Sequence, residues 1–352
     1  MVTTGDQDYI NSTVIDGSGL GTVVTFESGE DSRAMVTGFT ITNGLAADGG
    51  GIRCIDSSPS IFRNLIAENT TYKGLWPYGQ GAGIYCENSE ATIANNVIAN
   101  NTATGPDGGR GGGIFCQNSS PDIINNTLFG NESLWYGGAI CCIFSSPNIT
   151  NTILWANTAD VGPEIYIDEG DPVVTYSDIY AGWEGEGNVN SNPEFRNRVN
   201  GDFHLMSTAY GFPYDSPCID IGAPYTRDFA MDSLWGLGTT MADMGAYGGG
   251  DYEFAGIEDD GPATPSRIAV RGNYPNPFNP RTVIRFELAE TANVSIEIFD
   301  ILGRSIETIA NSDFSAGEHR LEWSGENVAG GVYFYTVKSG DFEITRKMLL
   351  LK

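Results

Sequence analysis

The segment GIYCENSEATIANNVIANN, residues 83–101, recurs along the first half of the chain and decides its fold. Its aligned copies are GIRCIDSSPSIFRNLIAEN from Gly51, GIFCQNSSPDIINNTLFGN from Gly113, AICCIFSSPNITNTILWAN from Ala139, and a weaker fifth copy, GPEIYI, around Ile165. Each copy contains short β-branched or aromatic runs separated by Ser-Ser-Pro or Asn turns, and none has the apolar period of a helix. Because a unit of this size cannot close its own core, the repeats predict stacked coils of a right-handed, single-stranded parallel β-helix.

Alternation along each strand predicts which side chains line the core, since neighbouring residues point to opposite sides of a strand. The inward positions are Ile52, Ile84, Ile114 and Ile140, with Cys54, Cys86, Cys116 and Cys142 two residues later. The intervening outward positions are Arg53, Tyr85, Phe115, Cys141 and Tyr166. The bends between strands carry Asn64, Asn96 and Asn126, whose amides can bond along the stack. We expect the cysteines to pack as free thiols rather than to form disulfides.

Composition argues against several classes of partner. The 352 residues include 45 Asp and Glu against 18 Lys and Arg, a formal charge of -27 that repels nucleic-acid phosphates and anionic lipid headgroups. No apolar run in the sequence approaches the roughly 18 residues that cross a bilayer. Residues 1–10 contain two Asp and no basic residue, so we expect that the export signal is missing from this chain. Neither nucleic-acid binding nor a direct membrane span is predicted.

The distribution of charge places a domain boundary. Residues 1–264 contain 8 Lys+Arg and 34 Asp+Glu, whereas residues 265–352 contain 10 and 11. The change falls at IEDDGPATP, residues 257–265, an acidic stretch with Gly and Pro that is typical of a linker. We therefore predict a β-helix with its closing module over residues 1–254, a linker over residues 255–266 and a second domain over residues 267–352.

The second domain has the period-two runs of β-strands, among them VIRFEL from Val283, VSIEIFD from Val294 and GVYFYTV from Gly331. About seven short strands in roughly 80 residues predict a small immunoglobulin-like β-sandwich. The whole chain is thus predicted to be all-β.

The repeats resemble the right-handed β-helix proteins of the pectate-lyase-like superfamily, over roughly residues 10–250. SPCIDIG, residues 216–222, and ADMGAYGG, residues 242–249, look like the closing module of such proteins. Because residues 3–17 resemble the interior of related β-helices, we expect the helix to be N-terminally truncated. The resemblance concerns the fold, since the superfamily includes lyases, hydrolases, adhesins and phage spikes.

The motifs YPNPFNP, FDILGR, GGVYFY and RKMLLLK of the second domain closely resemble the type A C-terminal sorting domain of the type IX secretion system, and a similar fold occurs in flagellar hook-capping proteins. The matching residues are Tyr274, Pro275, Asn276, Pro277, Phe278, Asn279, Pro280, Gly303, Arg304, Gly331, Tyr333, Lys347 and Lys352. In that family the domain directs export through the outer membrane, where a sortase usually removes it and attaches the product to lipopolysaccharide. The resemblance therefore implies type IX machinery and a sortase as partners, and an extracellular or outer-surface location in a Gram-negative bacterium.

The β-helix sequence offers no clear catalytic group. Its outward ladders place no two acids in adjacent coils, as a calcium-dependent lyase or a glycosidase would need. One such ladder is Ser60, Thr92, Asp122 and Asn148. His204 is interpreted as a residue of the closing coil, and Asp107 with Arg110 as a loop ion pair. A binding or structural protein is therefore favoured, with a polysaccharide lyase or glycoside hydrolase as the alternative.

Acidic residues cluster between residues 160 and 186 without a basic residue among them. The cluster comprises Asp160, Glu164, Asp168, Glu169, Asp171, Asp178, Glu184 and Glu186. Calcium is the ion that such a cluster suggests, but the spacing matches neither an EF-hand nor a nonapeptide repeat. A solvated acidic face is the favoured interpretation, and no cofactor or metal is predicted.

Aromatic residues supply the candidate binding site. The rings are Trp76, Tyr78, Phe129, Trp135, Tyr136 and Trp155. Alternation turns Phe129 and Trp155 outward on adjacent coils, and the loops are expected to place the other rings on the same flank. Exposed rings can stack on the C–H faces of sugars, and the negative charge favours a neutral polysaccharide. The competing interpretation is that the loop rings fold down to cover the sheet.

Overall fold

The computed structural model describes residues 10, 13–72, 79–105, 108–224, 237–238, 241–248, 268–274, 278, 280–288, 290–300, 304–340 and 342–350. The chain divides into two compact units between Ile257 and Glu258. Each unit has a hydrophobic core of its own.

The first unit is a parallel β-helix of about six coils, in which three parallel sheets run the length of the stack. Sheet 1 contains Val14–Asp16, Thr40–Thr42, Leu65–Ala67, Val97–Ala99, Thr127–Phe129, Ile153–Trp155 and Asp178–Ile179. Sheet 2 contains Val24–Phe26, Ile52–Ile55, Ile84–Glu87, Ile114–Gln117, Ile140–Ile143 and Ile165–Asp168. Sheet 3 contains Met35–Thr37, Ser60–Phe62, Thr92–Ala94, Asp122–Ile124, Asn148–Thr150 and Val173–Thr175.

Between sheets 1 and 2 several coils carry short extended pairs. One group of four is Leu45–Ala46, Thr70–Thr71, Thr102–Ala103 and Glu132–Ser133, and a second group of two is Gly79–Gln80 and Gly109–Arg110. The repeats differ in length in these connections between sheets 1 and 2.

The predicted register is confirmed. Ile84 pairs with Ile52 and Ile114, and Cys86 pairs with Cys54 and Cys116. These side chains are buried and form one continuous apolar core. All six cysteines are free and buried, as expected. The coils approach so closely that a Cβ at Gly83 would lie 2.5 Å from the carbonyl oxygen of Gly113, which explains the glycine before Ile52, Ile84 and Ile114. Ala139 and Glu164 take this position in the last two copies.

Two ladders of buried asparagines form hydrogen bonds between neighbouring coils at the bends. At the bend between sheets 3 and 1, the Asn64 Nδ2 donates to Asn96 Oδ1 at 3.1 Å, and Asn96 repeats this contact to Asn126, as predicted. A second ladder follows sheet 1. Its members are Asn69, Asn101, Asn131 and Asn157, each donating to the next through Nδ2.

The closing module, the described residues between 195 and 248, covers the outer face of sheet 1. It contains the antiparallel strands Phe195–Asn197 and Asp202–Leu205 and the 3-10 helices Arg198–Asn200 and Thr208–Tyr210. Its apolar side chains pack against Val97, Ala99 and Ile153. It is fastened to the coils by backbone contacts such as Gly245 N to Asn151 O at 2.7 Å.

The second unit is a small β-sandwich of seven antiparallel strands. Its strands are Ile268–Tyr274, Arg281–Leu288, Ala292–Asp300, Ser305–Phe314, Gly317–Ser324, Gly331–Ser339 and Phe342–Leu350. The first, second and fifth form one sheet, and the fourth, third, sixth and seventh form the other. In constant immunoglobulin domains the fourth strand belongs to the sheet of the first. The sandwich is therefore established, and its immunoglobulin-like relationship stays a prediction.

Candidate functional site

The outer face of sheet 2 carries a row of aromatic and apolar side chains. Tyr85 and Phe115 stack with ring centroids 5.5 Å apart, and Cys141 continues the row one coil further on. These three residues point outward, as alternation predicts, yet they are buried in a satellite cluster. Tyr136, from the segment between sheets 1 and 2, packs on Tyr166 with centroids 4.4 Å apart. The loop rings thus cover part of this sheet.

Trp135 stands beside this row and remains 38% exposed. A Cβ at Gly108 would lie 2.4 Å from the indole ring, so the ring rests directly on the glycine backbone. Gly108 has a φ of 104°, which other residues rarely adopt. Tyr136 packs edge-on against Trp135 at 5.9 Å, and the Arg110 guanidinium lies 5.8 Å from the Tyr136 ring. The indole is therefore held by its neighbours and partly open to solvent.

Phe129 and Trp155 lie on a different sheet, which corrects the expected single row of rings. Both belong to sheet 1 and are partly buried against the core that the closing module completes. The Phe129 ring contacts Phe203 at 5.1 Å, and the Trp155 ring contacts Tyr180 at 5.1 Å. Trp76 and Tyr78 fall outside the described residues. Among the described candidate rings, Trp135 and Tyr136 lie together beside sheet 2, whereas Phe129 and Trp155 are partners on adjacent strands of sheet 1.

Charged groups that sequence reasoning missed meet at the first coils of sheet 2. Burial raises the pKa of Asp48 to about 6, Arg53 lowers it and Glu87 raises it, so the three side chains share one electrostatic environment. The Arg53 guanidinium also binds Glu27 at 2.8 Å, and the Tyr85 hydroxyl donates to Glu87 at 2.9 Å. Asp48 lies in the glycine-rich stretch just before the repeat that begins at Gly51, and this position is the signal in the sequence that could have identified it.

The acidic cluster of residues 160–186 is divided between surface and interior. Glu164 and Asp178 are buried, while the other six are exposed. Glu164 ends the second asparagine ladder, accepting from Asn157 Nδ2 at 2.6 Å and from Asn157 N at 3.3 Å. For these two residues the expected solvated face is wrong. Within the described ranges, no group of three or more His, Cys, Asp or Glu side chains could hold a metal ion.

The pKa of Glu164 makes the stability of the β-helix depend on pH. Burial raises this pKa to about 7, partly opposed by the hydrogen bonds from Asn157, whereas an unfolded Glu titrates near 4.3. The folded state holds the proton more tightly, so this stabilisation is complete below about pH 4.3 and is lost as the pH rises through about 7. We expect the free energy of unfolding to fall by up to about 3 kcal/mol between pH 5 and pH 8 from this residue.

Glu164→Gln tests this expectation, because Gln retains an acceptor oxygen for Asn157 Nδ2 but does not titrate. Urea unfolding of the full chain at both pH values, followed by tryptophan fluorescence, should show a smaller pH dependence in the variant. Five of the six Trp lie before residue 255 and report on the β-helix. The control is Glu169→Gln, which changes an exposed side chain. An unchanged pH dependence in Glu164→Gln would contradict the assignment.

His204 is a structural residue of the closing module, as interpreted from the sequence. Its ring stacks on Tyr247 at 3.8 Å, and its Nδ1 lies 2.6 Å from Asp202 Oδ1. The hydrogen bond to His204 lowers the pKa of Asp202 against the opposing effect of burial. Asp107 falls outside the described residues.

The residues of the sorting motifs occupy different environments in the sandwich. Phe278 and Tyr333 are buried in its core, and Phe278 forms a bridge to Leu350 on the last strand. Arg304 is exposed, and Gly331 opens the strand Gly331–Ser339. Lys347 lies on the last strand. Six residues of this set lie outside the described residues: Pro275, Asn276, Pro277, Asn279, Gly303 and Lys352.

Comparison with known protein families supports the fold assigned to each of the two units. Residues 2–159 match the right-handed β-helix region, and residues 273–351 match the secretion system C-terminal sorting domain. No curated protein matches the chain. The described residues contain no helix long and apolar enough to span a membrane. The sorting domain implies handling by the type IX secretion system and delivery to the cell surface or beyond. The chain is a right-handed β-helix protein with a type IX C-terminal sorting domain.

Proposed function

We propose that the β-helix is a binding module for a neutral polysaccharide, displayed or released by the type IX system, with Trp135 as its principal contact. The observation that carries this proposal is the Trp135 ring, which rests on Gly108 and is still 38% exposed. A ring held in place loses little conformational freedom on binding, so its contact with a sugar face is used efficiently. Tyr136 and Tyr166 extend the aromatic surface along sheet 2.

Charge supports a neutral ligand. Residues 1–264 contain 34 acidic and 8 basic side chains, so a polyuronate would be repelled unless divalent cations bridged it. A neutral glucan or mannan meets no such barrier. The surface location that the sorting domain implies would expose the β-helix to extracellular polysaccharides.

Affinity electrophoresis of the full chain in gels containing β-glucan or mannan tests the proposal. We expect retardation by at least one polymer, weakened about fivefold by Trp135→Ala, because a ring stacked on a sugar contributes on the order of 1 kcal/mol. Phe144→Ala is the matched control, since Phe144 is another exposed aromatic residue, at the turn that follows the strand Ile140–Ile143. Absence of retardation, or equal loss in both variants, would refute the role of Trp135.

Polysaccharide cleavage is the alternative, and one observation favours it. Asp48, Glu87 and Arg53 share an environment in which the pKa of Asp48 rises to about 6, suited to a general acid. The same samples should therefore be assayed for new reducing ends and for unsaturated products. Release of either, lost in Asp48→Asn, would favour the enzyme; intact polymer would leave binding as the function.

A further inference from the structure

The motif residues of the sorting domain separate into those that build the sandwich and those that a partner could contact. Phe278 is buried against Trp323 with ring centroids 5.5 Å apart. Tyr333 is also buried, and its hydroxyl donates to the carbonyl of Ala329 at 2.7 Å. A binding partner cannot touch these rings while the sandwich is folded. Their role is therefore to hold the fold.

Arg304, at the start of the fourth strand of the sandwich, has the opposite environment. Its side chain is 73% exposed although it is fixed in place by Asp300. The Arg304 Nε donates to Asp300 Oδ2 at 2.7 Å, the Arg304 N–H donates to Asp300 Oδ1 at 3.0 Å, and the Asp300 N–H donates to the Arg304 carbonyl at 3.0 Å. Only 13% of the Asp300 side chain is exposed. This Asp300–Arg304 pair, called the clamp below, exposes its guanidinium to solvent and keeps its carboxylate largely buried.

The strand that follows Arg304 is an edge strand. Ser305–Phe314 ends the four-stranded sheet and pairs on one side with Ala292–Asp300. Ile306 lies on this strand. Among the described residues of the sandwich, it is the one large apolar side chain that is exposed. Arg304 directly precedes this strand, and a register shift between Ser305 and Glu307 leaves Ile306 outside the regular pairing with Ala292–Asp300. Both side chains are exposed at this end of the edge. An open edge beside an exposed Arg and an exposed Ile has the composition of a docking site.

We propose that the type IX machinery binds the folded sandwich at this edge, with Arg304 paired to a carboxylate of the machinery and Ile306 in an apolar contact. A prearranged guanidinium loses little freedom on binding. Asp300 occupies the Nε and Nη2 side of Arg304, so a carboxylate of the machinery would accept from the outward N–H groups of Nη1 and Nη2. The proposal goes beyond the sorting role itself, because it assigns recognition to the surface of the folded domain.

The test uses the full chain behind an added signal peptide in a bacterium with type IX secretion. We expect Arg304→Glu and Ile306→Ser to accumulate in the periplasm with the sandwich folded, and Arg304→Lys to retain part of the delivery. The matched control is Arg320→Glu, which reverses an exposed charge on a strand of the other sheet. Differential scanning calorimetry of each purified variant reports whether the sandwich is intact, because its core is separate from that of the β-helix and its unfolding can be compared with that of the unchanged chain.

Three outcomes would overturn the proposal. Normal surface delivery of both Arg304→Glu and Ile306→Ser would show that the machinery does not bind this edge. Loss of delivery only in variants whose sandwich unfolds would show that the clamp is structural. Passage across the outer membrane followed by release into the medium would assign the edge to surface attachment. If the domain had no sorting role at all, deletion of residues 267–352 would leave surface delivery unchanged. That result differs from each of the three outcomes above.

Discussion

Asn131→Ala should destabilise the β-helix by about 4 kcal/mol, because it removes four buried hydrogen bonds at once. The Asn131 Oδ1 accepts from Asn101 N and Asn101 Nδ2, at 3.1 and 3.0 Å. Its Nδ2 donates to Ile98 O and Asn157 Oδ1, at 2.8 and 2.9 Å. Water cannot replace these bonds at a site where Asn131 is fully buried, so each lost partner costs about 1 kcal/mol or more.

Urea unfolding of the full chain, followed by tryptophan fluorescence, measures this loss. The matched control is Asn148→Ala, which removes an exposed amide that donates to Asp122 at 3.0 Å and should change stability by less than about 0.5 kcal/mol. Equal effects of the two substitutions would mean that the ladder is not a source of stability. A larger effect of Asn131→Ala alone would establish that the coils are joined through their amides as well as through the apolar core.

The core and the first asparagine ladder could be predicted because repetition in sequence becomes position in space. Once Ile84 was aligned with Ile52 and Ile114, the strand period fixed which side chains point inward. Asn64 and Asn96 followed from the same alignment. No contact between distant, dissimilar segments was needed for any of these inferences.

The outer surface could not be predicted in this way. Alternation placed Phe129 and Trp155 outside the coil correctly, but it carries no information on what covers them. The covering rings of Phe195 and Phe203 come from an antiparallel pair that shares no repeat with the coils. The same reasoning predicted Trp135 and Phe129 on one flank, although they lie at different sheets. The length of a loop does not reveal the sheet against which it packs.

The sequence contains a signal for the end of the second ladder. The position before each inward Ile is Gly51, Gly83 and Gly113 in the first copies, and a Cβ there would meet the Nδ2 of a ladder Asn at 2.9 to 3.3 Å. Glu164 occupies this position in the last copy and takes the hydrogen bonds that a further Asn would accept. A break in the repeat therefore marks the end of the ladder.

Deleting residues 267–352 should abolish surface delivery while leaving the β-helix folded. The β-helix core and the sandwich core have no residue in common, so removing one does not open the other. The match to the sorting domain covers residues 273–351, which the deletion removes. With an added signal peptide in a bacterium that has type IX secretion, the shortened protein should collect in the periplasm. Surface labelling and protease protection of intact cells measure its location.

The matched control transfers residues 267–352 to an unrelated, folded periplasmic protein. If the sandwich contains the whole signal, the transferred domain should carry that cargo to the surface as it carries the β-helix. The result also tests a physical point, since Phe278 and Tyr333 are buried within the sandwich and need nothing from the cargo to hold their positions. Surface delivery of the β-helix without residues 267–352 would contradict the prediction. Failure of the transferred domain alone would mean that the β-helix contributes to recognition.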